Sequence, residues 1–103
     1  MRRRPDDARL YEREALGRSG TMRVSAQISV YPLRQQHLGP AIEAVRLAFE
    51  REGLAPEVGL MSTFASGDAE RILAAIRGAF VSAAQTGDVA MVVTLSNACP
   101  ANV

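Results

Sequence analysis

The side chains able to do covalent chemistry are few in this sequence and stand far apart. Its one histidine, His37, closes a polar run with Arg34, Gln35 and Gln36, and its one cysteine, Cys99, sits beside Pro100 near the C-terminus. A nucleophile needs a base within hydrogen-bond reach and a third group to orient that base, and neither residue has such neighbours in the chain. No basic cluster flanks Cys99 to hold it as a thiolate. A lone histidine and a lone cysteine so distant from each other have no metal-ligand spacing. Glu43, Glu50, Glu52, Asp68 and Glu70 fall on outward helix positions or caps, not in facing pairs suited to acid and base work. Gly17, Gly20, Gly53, Gly59, Gly67 and Gly87 stand at linker or segment ends, and none forms a GxGxxG or P-loop pattern. The expectation is a protein that is not an enzyme and holds no metal or cofactor, with catalysis through His37 or Cys99 as the competing reading.

What remains is a set of small uncharged polar groups at strand-like spacing. Gln27, Ser29 and Tyr31 alternate with apolar residues, Ser62 and Thr63 stand together in the middle of the chain, and Thr94 and Ser96 alternate near its end. Hydroxyls and a carboxamide offer donors and acceptors to the edges of a neutral heteroaromatic ring, while Tyr31 or Met61 can pack on its face. The same groups serve equally well as a wetted sheet surface or as contacts between subunits. Spacing alone leaves these alternatives open.

These residues need elements to position them. Val24, Ala26, Ile28 and Val30 alternate with Ser25, Gln27, Ser29 and Tyr31, the period of a half-buried strand that Pro32 ends. Pro40 suits a first helical turn, Leu38, Ile42, Val45 and Phe49 form an apolar stripe behind it, and Gly53 supplies the stop. The stretch from Ala55 to Ser66 has the length of two short strands joined by a poorly marked turn. Asp68 can cap a second helix whose stripe is Ile72, Ile76, Phe80 and Ala83. Val89, Met91, Val93 and Leu95 alternate with Ala90, Val92, Thr94 and Ser96 in a last strand, expected to be well covered. The order strand, helix, strand, strand, helix, strand predicts an α+β, ferredoxin-like βαββαβ domain. Its antiparallel four-stranded sheet carries two helices on one face, with the first and third strands central, and leaves a polar, uncharged face open.

Composition sets the outer bounds. At 103 residues and 48% hydrophobic, the chain supports one globular domain; about two thirds of its unfolded surface can be buried, with no room for a large enclosed catalytic cavity. Ligands therefore belong on a face or between subunits. The twelve basic residues, all arginine, are nearly cancelled by eleven acids, so no nucleic-acid-binding field exists. Six of the arginines precede Met22, where core-sized residues are scarce and Gly17 to Thr21 read as a linker; residues 1–21 are expected to be a mobile extension to a domain over 22–103. Acids follow Arg2 to Arg4 where a secretory signal needs apolar residues, and no run reaches the roughly 18 apolar residues of a membrane span. With a single cysteine excluding an internal disulfide framework, the expected location is cytoplasmic.

Three segments carry a resemblance to a known family: Ser25-Ala26-Gln27-Ile28-Ser29-Val30-Tyr31-Pro32-Leu33, then Met61-Ser62-Thr63 followed by Gly67-Asp68, then Val93-Thr94-Leu95-Ser96-Asn97-Ala98-Cys99-Pro100. In their order and spacing the chain resembles, from about Arg23 to Pro100, the small thiamine- and hydroxymethylpyrimidine-binding proteins of the YKOF-related type. The resemblance implies a ferredoxin-like fold and non-catalytic binding of thiamine or its pyrimidine half, in salvage or in supply of the vitamin to a transporter. Carried over by position, the family's polar strand residues fall on Ser29, Ser62, Thr63, Thr94 and Ser96, with Gln27 and Tyr31 beside them. Some relatives hold two such domains in one chain, so here pairing would come from a homodimer or homotetramer. Two other readings stay beside this one: an oligomeric interaction module without a small ligand, and a vitamin-salvage enzyme using His37 or Cys99.

Overall fold

The structure, a computed structural model, describes residues 22–98; the predicted extension over residues 1–21 and the predicted thiol Cys99 lie outside the described residues. β1 (Arg23–Pro32), α1 (Gly39–Arg51), β2 (Glu57–Val58), β3 (Thr63–Asp68), α2 (Ala69–Ala84) and β4 (Val89–Ser96) follow one another along the chain. The strands form one antiparallel sheet in the order β2-β3-β1-β4, with β1 and β3 central. This is the α+β, ferredoxin-like arrangement that the order of elements predicts.

The alternation in β1 decides which face the helices cover. Val24, Ala26 and Ile28 are buried, and across the β1–β3 ladder they meet Gly67, Ala65 and Thr63. Val45, Ala48 and Phe49 of α1 and Ile72, Ala75 and Ala79 of α2 complete that core. Complete burial of Phe49, Ile28 and Ile72 stabilises the fold by about 1.5–3 kcal/mol for each side chain. Local signals fix the helix ends. Asp68 accepts a 3.1 Å hydrogen bond from the backbone N–H of Arg71, capping α2. Gly53, at φ 76°, ends α1: its N–H donates to the Glu50 carbonyl at 2.9 Å and that of Leu54 to the Phe49 carbonyl at 3.1 Å, the paired bonds of a Schellman stop.

Two packing expectations need correction. The helix stripes are led by alanine: α1 buries Ala41, Val45, Ala48 and Phe49, and α2 buries Ile72, Ala75, Ala79 and Ala83. Leu38, predicted on the first stripe, is the exposed N-cap residue of α1, and Phe80 of the second is also exposed. The cause is the seam between the helices. A Cβ added at Gly78 would lie 3.7 Å from the Cβ of Ala48, so small residues set the approach of the two helices and larger ones turn to the flanks. β4, predicted to be well covered, leaves Val92, Val93 and Leu95 exposed, because the helices pack mainly over the central strands and β4 is an edge.

Candidate functional site

At one end of the sheet, the C-terminal half of β1, the start of α1 and the β2–β3 turn enclose an open cavity of about 110 Å³. Ile28, Val30 and Tyr31 come from β1, Leu38 and Ile42 from the start of α1, and Gly59, Leu60, Met61, Ser62 and Thr63 from the turn and the first residue of β3. A closed cavity of about 150 Å³ takes up one benzene ring; this one is smaller and open, so it admits at most one ring, with the rest of a ligand outside. Among the described residues no charged side chain lines it.

Local folding explains each wall. The N–H of Gly59 donates to the Ser62 carbonyl at 2.8 Å, closing the hairpin around Leu60 and Met61, with Leu60 99% exposed at the lip. Leu38 is carried by the β1–α1 loop, which is tied to the residue before β4. The N–H of Leu33 donates to the Asp88 carbonyl at 2.7 Å, Nε2 of Gln35 donates to the same oxygen at 2.9 Å, and the guanidinium of Arg34 pairs with the Asp88 carboxylate. Arg34 adopts the left-handed conformation at φ 56° within this clamp. His37 is exposed on the same loop and does not line the cavity.

The seven predicted binding residues divide into two groups. Tyr31, Ser62 and Thr63 line the cavity. Gln27, Ser29, Thr94 and Ser96 belong to the open face of the sheet, where Thr94 stands opposite Gln27 and Ser96 opposite Ser25 in the β1–β4 register. Ser62 joins the groups: its Oγ accepts a 3.1 Å hydrogen bond from Nε2 of Gln27, while the Ser29 hydroxyl donates to the Met61 carbonyl at 3.1 Å. The Ser96 hydroxyl accepts from the N–H of Ala98 at 3.0 Å, at the other end of β4.

Thr63 differs from the polar-face placement its neighbours suggest. It pairs with Ile28 on the helix-facing side and is only 4% exposed, since adjacent residues on a strand point to opposite faces. Among the described residues its hydroxyl has no hydrogen-bond partner, yet it is not a sealed, unsatisfied atom; the cavity is where it meets solvent. The apolar wall of Leu38, Ile42 and Leu60 is what sequence reasoning missed. The available signal was Leu60-Met61 after Gly59, two large apolar side chains where a turn ordinarily carries polar ones.

The resolved pKa displacements lie away from this site. Arg46 on α1 hydrogen-bonds to Glu43 and, at 2.6 Å, to Glu50. The hydrogen bond from Arg46 holds the Glu43 carboxyl below its ordinary value, and the two carboxylates raise the guanidinium of Arg46. Among the described residues no cluster of three or more His, Cys, Asp or Glu could hold a metal ion, and no helix is long and apolar enough to cross a membrane.

Comparison with known proteins adds family and fold. The family model described as the YKOF-related family matches residues 23–102. No curated protein matches the chain. Among solved structures, a protein of a domain family of unknown function from Bacillus cereus aligns with TM-score 0.63 and 19% identity over 74% of this chain and 76% of its own. A hypothetical protein from Methanocaldococcus jannascii aligns with TM-score 0.62 and 25% identity over 73% and 77% of the two chains. A candidate thiamine biosynthesis/salvage protein from Thermotoga maritima aligns with TM-score 0.62 and 20% identity over 72% and 82%.

Proposed function

The chain belongs to the YKOF-related family, and from that membership we propose that its cavity binds the aminopyrimidine ring of thiamine or of free hydroxymethylpyrimidine, making and breaking no bond. The observation that carries this reading is Thr63, a largely buried residue whose hydroxyl has no protein partner among the described residues and meets solvent in the cavity. A buried polar group is stabilised by a ligand that supplies the missing hydrogen bond. Ser62 adds a second hydroxyl, Tyr31 and Met61 provide surfaces for the ring faces, Gln27 and Ser29 are secondary polar groups through their bonds to the turn, and Thr94 and Ser96 lie farther along the open sheet face. The Thermotoga maritima neighbour, whose name points to thiamine biosynthesis or salvage, supports the same ligand class.

Charge orders the two ligands. Among the described residues no carboxylate lines the cavity, so the neutral pyrimidine enters, while the cationic thiazolium of thiamine stays at the mouth, where an aromatic face such as Tyr31 contributes about 0.5–2 kcal/mol. In this reading the protein acts in the cytoplasm as a homodimer or homotetramer that holds the vitamin or its fragment for salvage or for a transporter. Calorimetric titration with hydroxymethylpyrimidine and thiamine tests it. Saturable binding near one per chain, weakened in Thr63→Val and kept in His37→Ala, supports the proposal. Absence of heat and of any thermal shift with both ligands overturns it, and product formation that His37→Ala abolishes would make the protein an enzyme instead.

A further inference from the structure

We infer that Gln35 is a positioning residue for the cavity: it holds the start of α1, and with it the Leu38 wall, in place of the cap that this helix lacks. Its link to affinity rests on ring binding as proposed above, while the tie itself rests on the loop. α1 begins weakly. Its N-cap residue is Leu38, whose side chain has no oxygen to accept from the first N–H groups, and no acid stands in the first turn. Ser, Thr, Asp or Asn at that position ordinarily satisfies one of those donors, and acids complement the positive end of the helix. Gly39 follows, with open space where a side chain would stand, and glycine adds backbone freedom. Leu38 and, one turn later, Ile42 both line the cavity, joined by the N–H of Ile42 donating to the Leu38 carbonyl at 3.2 Å. Fraying of this one turn would move two walls at once.

The loop before α1 supplies the missing restraint. β1 ends at Pro32 and the N–H of Leu33 bonds to the Asp88 carbonyl, so residues 34–37 are all that separate that anchor from Leu38. Nε2 of Gln35 folds back to donate to the same Asp88 carbonyl at 2.9 Å. Its amide rests on Gly87, where an added Cβ would lie 2.7 Å from Nε2 and where the φ of 141° favours glycine; residue 87 thus leaves a seat that only a bare backbone provides. The Arg34–Asp88 ion pair spans the same two segments, but its side chains are 81% and 63% exposed, and a pair so solvated adds little. Gln35 is partly buried and is the tie that fixes the loop.

The test is residue-resolved amide hydrogen exchange of the full chain, with calorimetric titration of hydroxymethylpyrimidine beside it. Gln35→Met keeps the length of the side chain and removes its donor. The expected result is exchange at Ile42 faster by about 2- to 10-fold, the worth of one hydrogen bond, with affinity lowered by a similar factor and the amides of α2 unchanged. Adding Gly39→Ala, which strengthens the first turn without meeting a neighbour, should restore slow exchange at Ile42 and most of the affinity. Arg34→Met should move neither readout. Unchanged exchange at Ile42 in Gln35→Met overturns the inference whatever the affinity does, and so does faster exchange throughout α2, which would make Gln35 a support of the whole fold. Equal acceleration in Arg34→Met overturns it too, by placing the tie in the ion pair. A wild-type chain that binds no hydroxymethylpyrimidine sinks the ligand reading alone, and exchange at Ile42 still decides the role of Gln35.

Discussion

Nε2 of Gln27 donates to Oγ of Ser62 at 3.1 Å, tying the open face of a central strand to the residue that closes the β2–β3 turn. Beside it the Ser29 hydroxyl holds the Met61 carbonyl. Together these bonds fix the backbone of a turn whose Leu60 and Met61 side chains are exposed at the cavity lip. Because the Gln27–Ser62 pair is solvated, its worth to the fold is small. Gln27→Ala should lower unfolding free energy by no more than about 1 kcal/mol in a denaturant titration, while hydroxymethylpyrimidine affinity falls because the turn loses one of its two ties.

Thr63→Val separates recognition from stability. The substitution replaces a hydroxyl that lacks a protein partner with a methyl of similar volume at a 4% exposed site. Removing a hydroxyl that has no protein partner among the described residues leaves the fold about as stable, whereas losing one hydrogen bond to a ligand weakens binding by about 2- to 10-fold. Thermal melting and calorimetric titration on the same preparation check both halves. A large loss of melting temperature would mean that the hydroxyl supports the fold.

Two glycines should respond to alanine with opposite signs. At Gly78, inside α2, an added Cβ would meet Ala48 at an ordinary 3.7 Å, so Gly78→Ala should gain up to about 1 kcal/mol from helix propensity. At buried Gly67 the Cβ would lie 2.6 Å from Cδ2 of Leu54. Leu54 must then move off the core, and Gly67→Ala should cost about 1–3 kcal/mol. Melting temperatures of the two variants, rising for one and falling for the other, are the check.

The Glu43 carboxyl should titrate below an ordinary glutamate, with the hydrogen bond from Arg46 as cause. Because its folded value is the lower one, its contribution to stability is present above the unfolded pKa and is lost as pH falls through the folded pKa. Side-chain carboxyl resonances followed by NMR from neutral to acidic pH should give a depressed midpoint that returns to the usual range in Arg46→Met. Both groups are solvated, so the accompanying change in stability is small.

Strand alternation from Val24 to Tyr31 and the caps at Asp68 and Gly53 were legible because each is a local rule with its partner a few residues away. The helix stripes were legible in part, for Val45, Phe49, Ile72 and Ala83 are buried, but large residues dominate an apolar pattern and hid the buried Ala41, Ala48, Ala75 and Ala79 and the close approach of Gly78 to Ala48. The seam between the helices depends on how closely two distant segments approach, which no periodicity records. The polar site residues were legible as a set, but the burial of Thr63 beside an exposed Ser62 neighbourhood follows from where the hairpin closes. Exposure of β4 was likewise illegible, for it depends on how far the helix layer extends over the sheet.

Every described residue lining the cavity lies between Ile28 and Thr63, within the uninterrupted stretch that runs from the later part of β1 through α1 and β2 to the start of β3. Neither α2 nor β4 contributes a wall. The preference of the cavity itself is thereby portable: exchange of this one stretch between two proteins of the same fold should carry the donor's choice of ring with it, while the contribution of Gln27, Thr94 and Ser96 on the sheet face stays with the recipient.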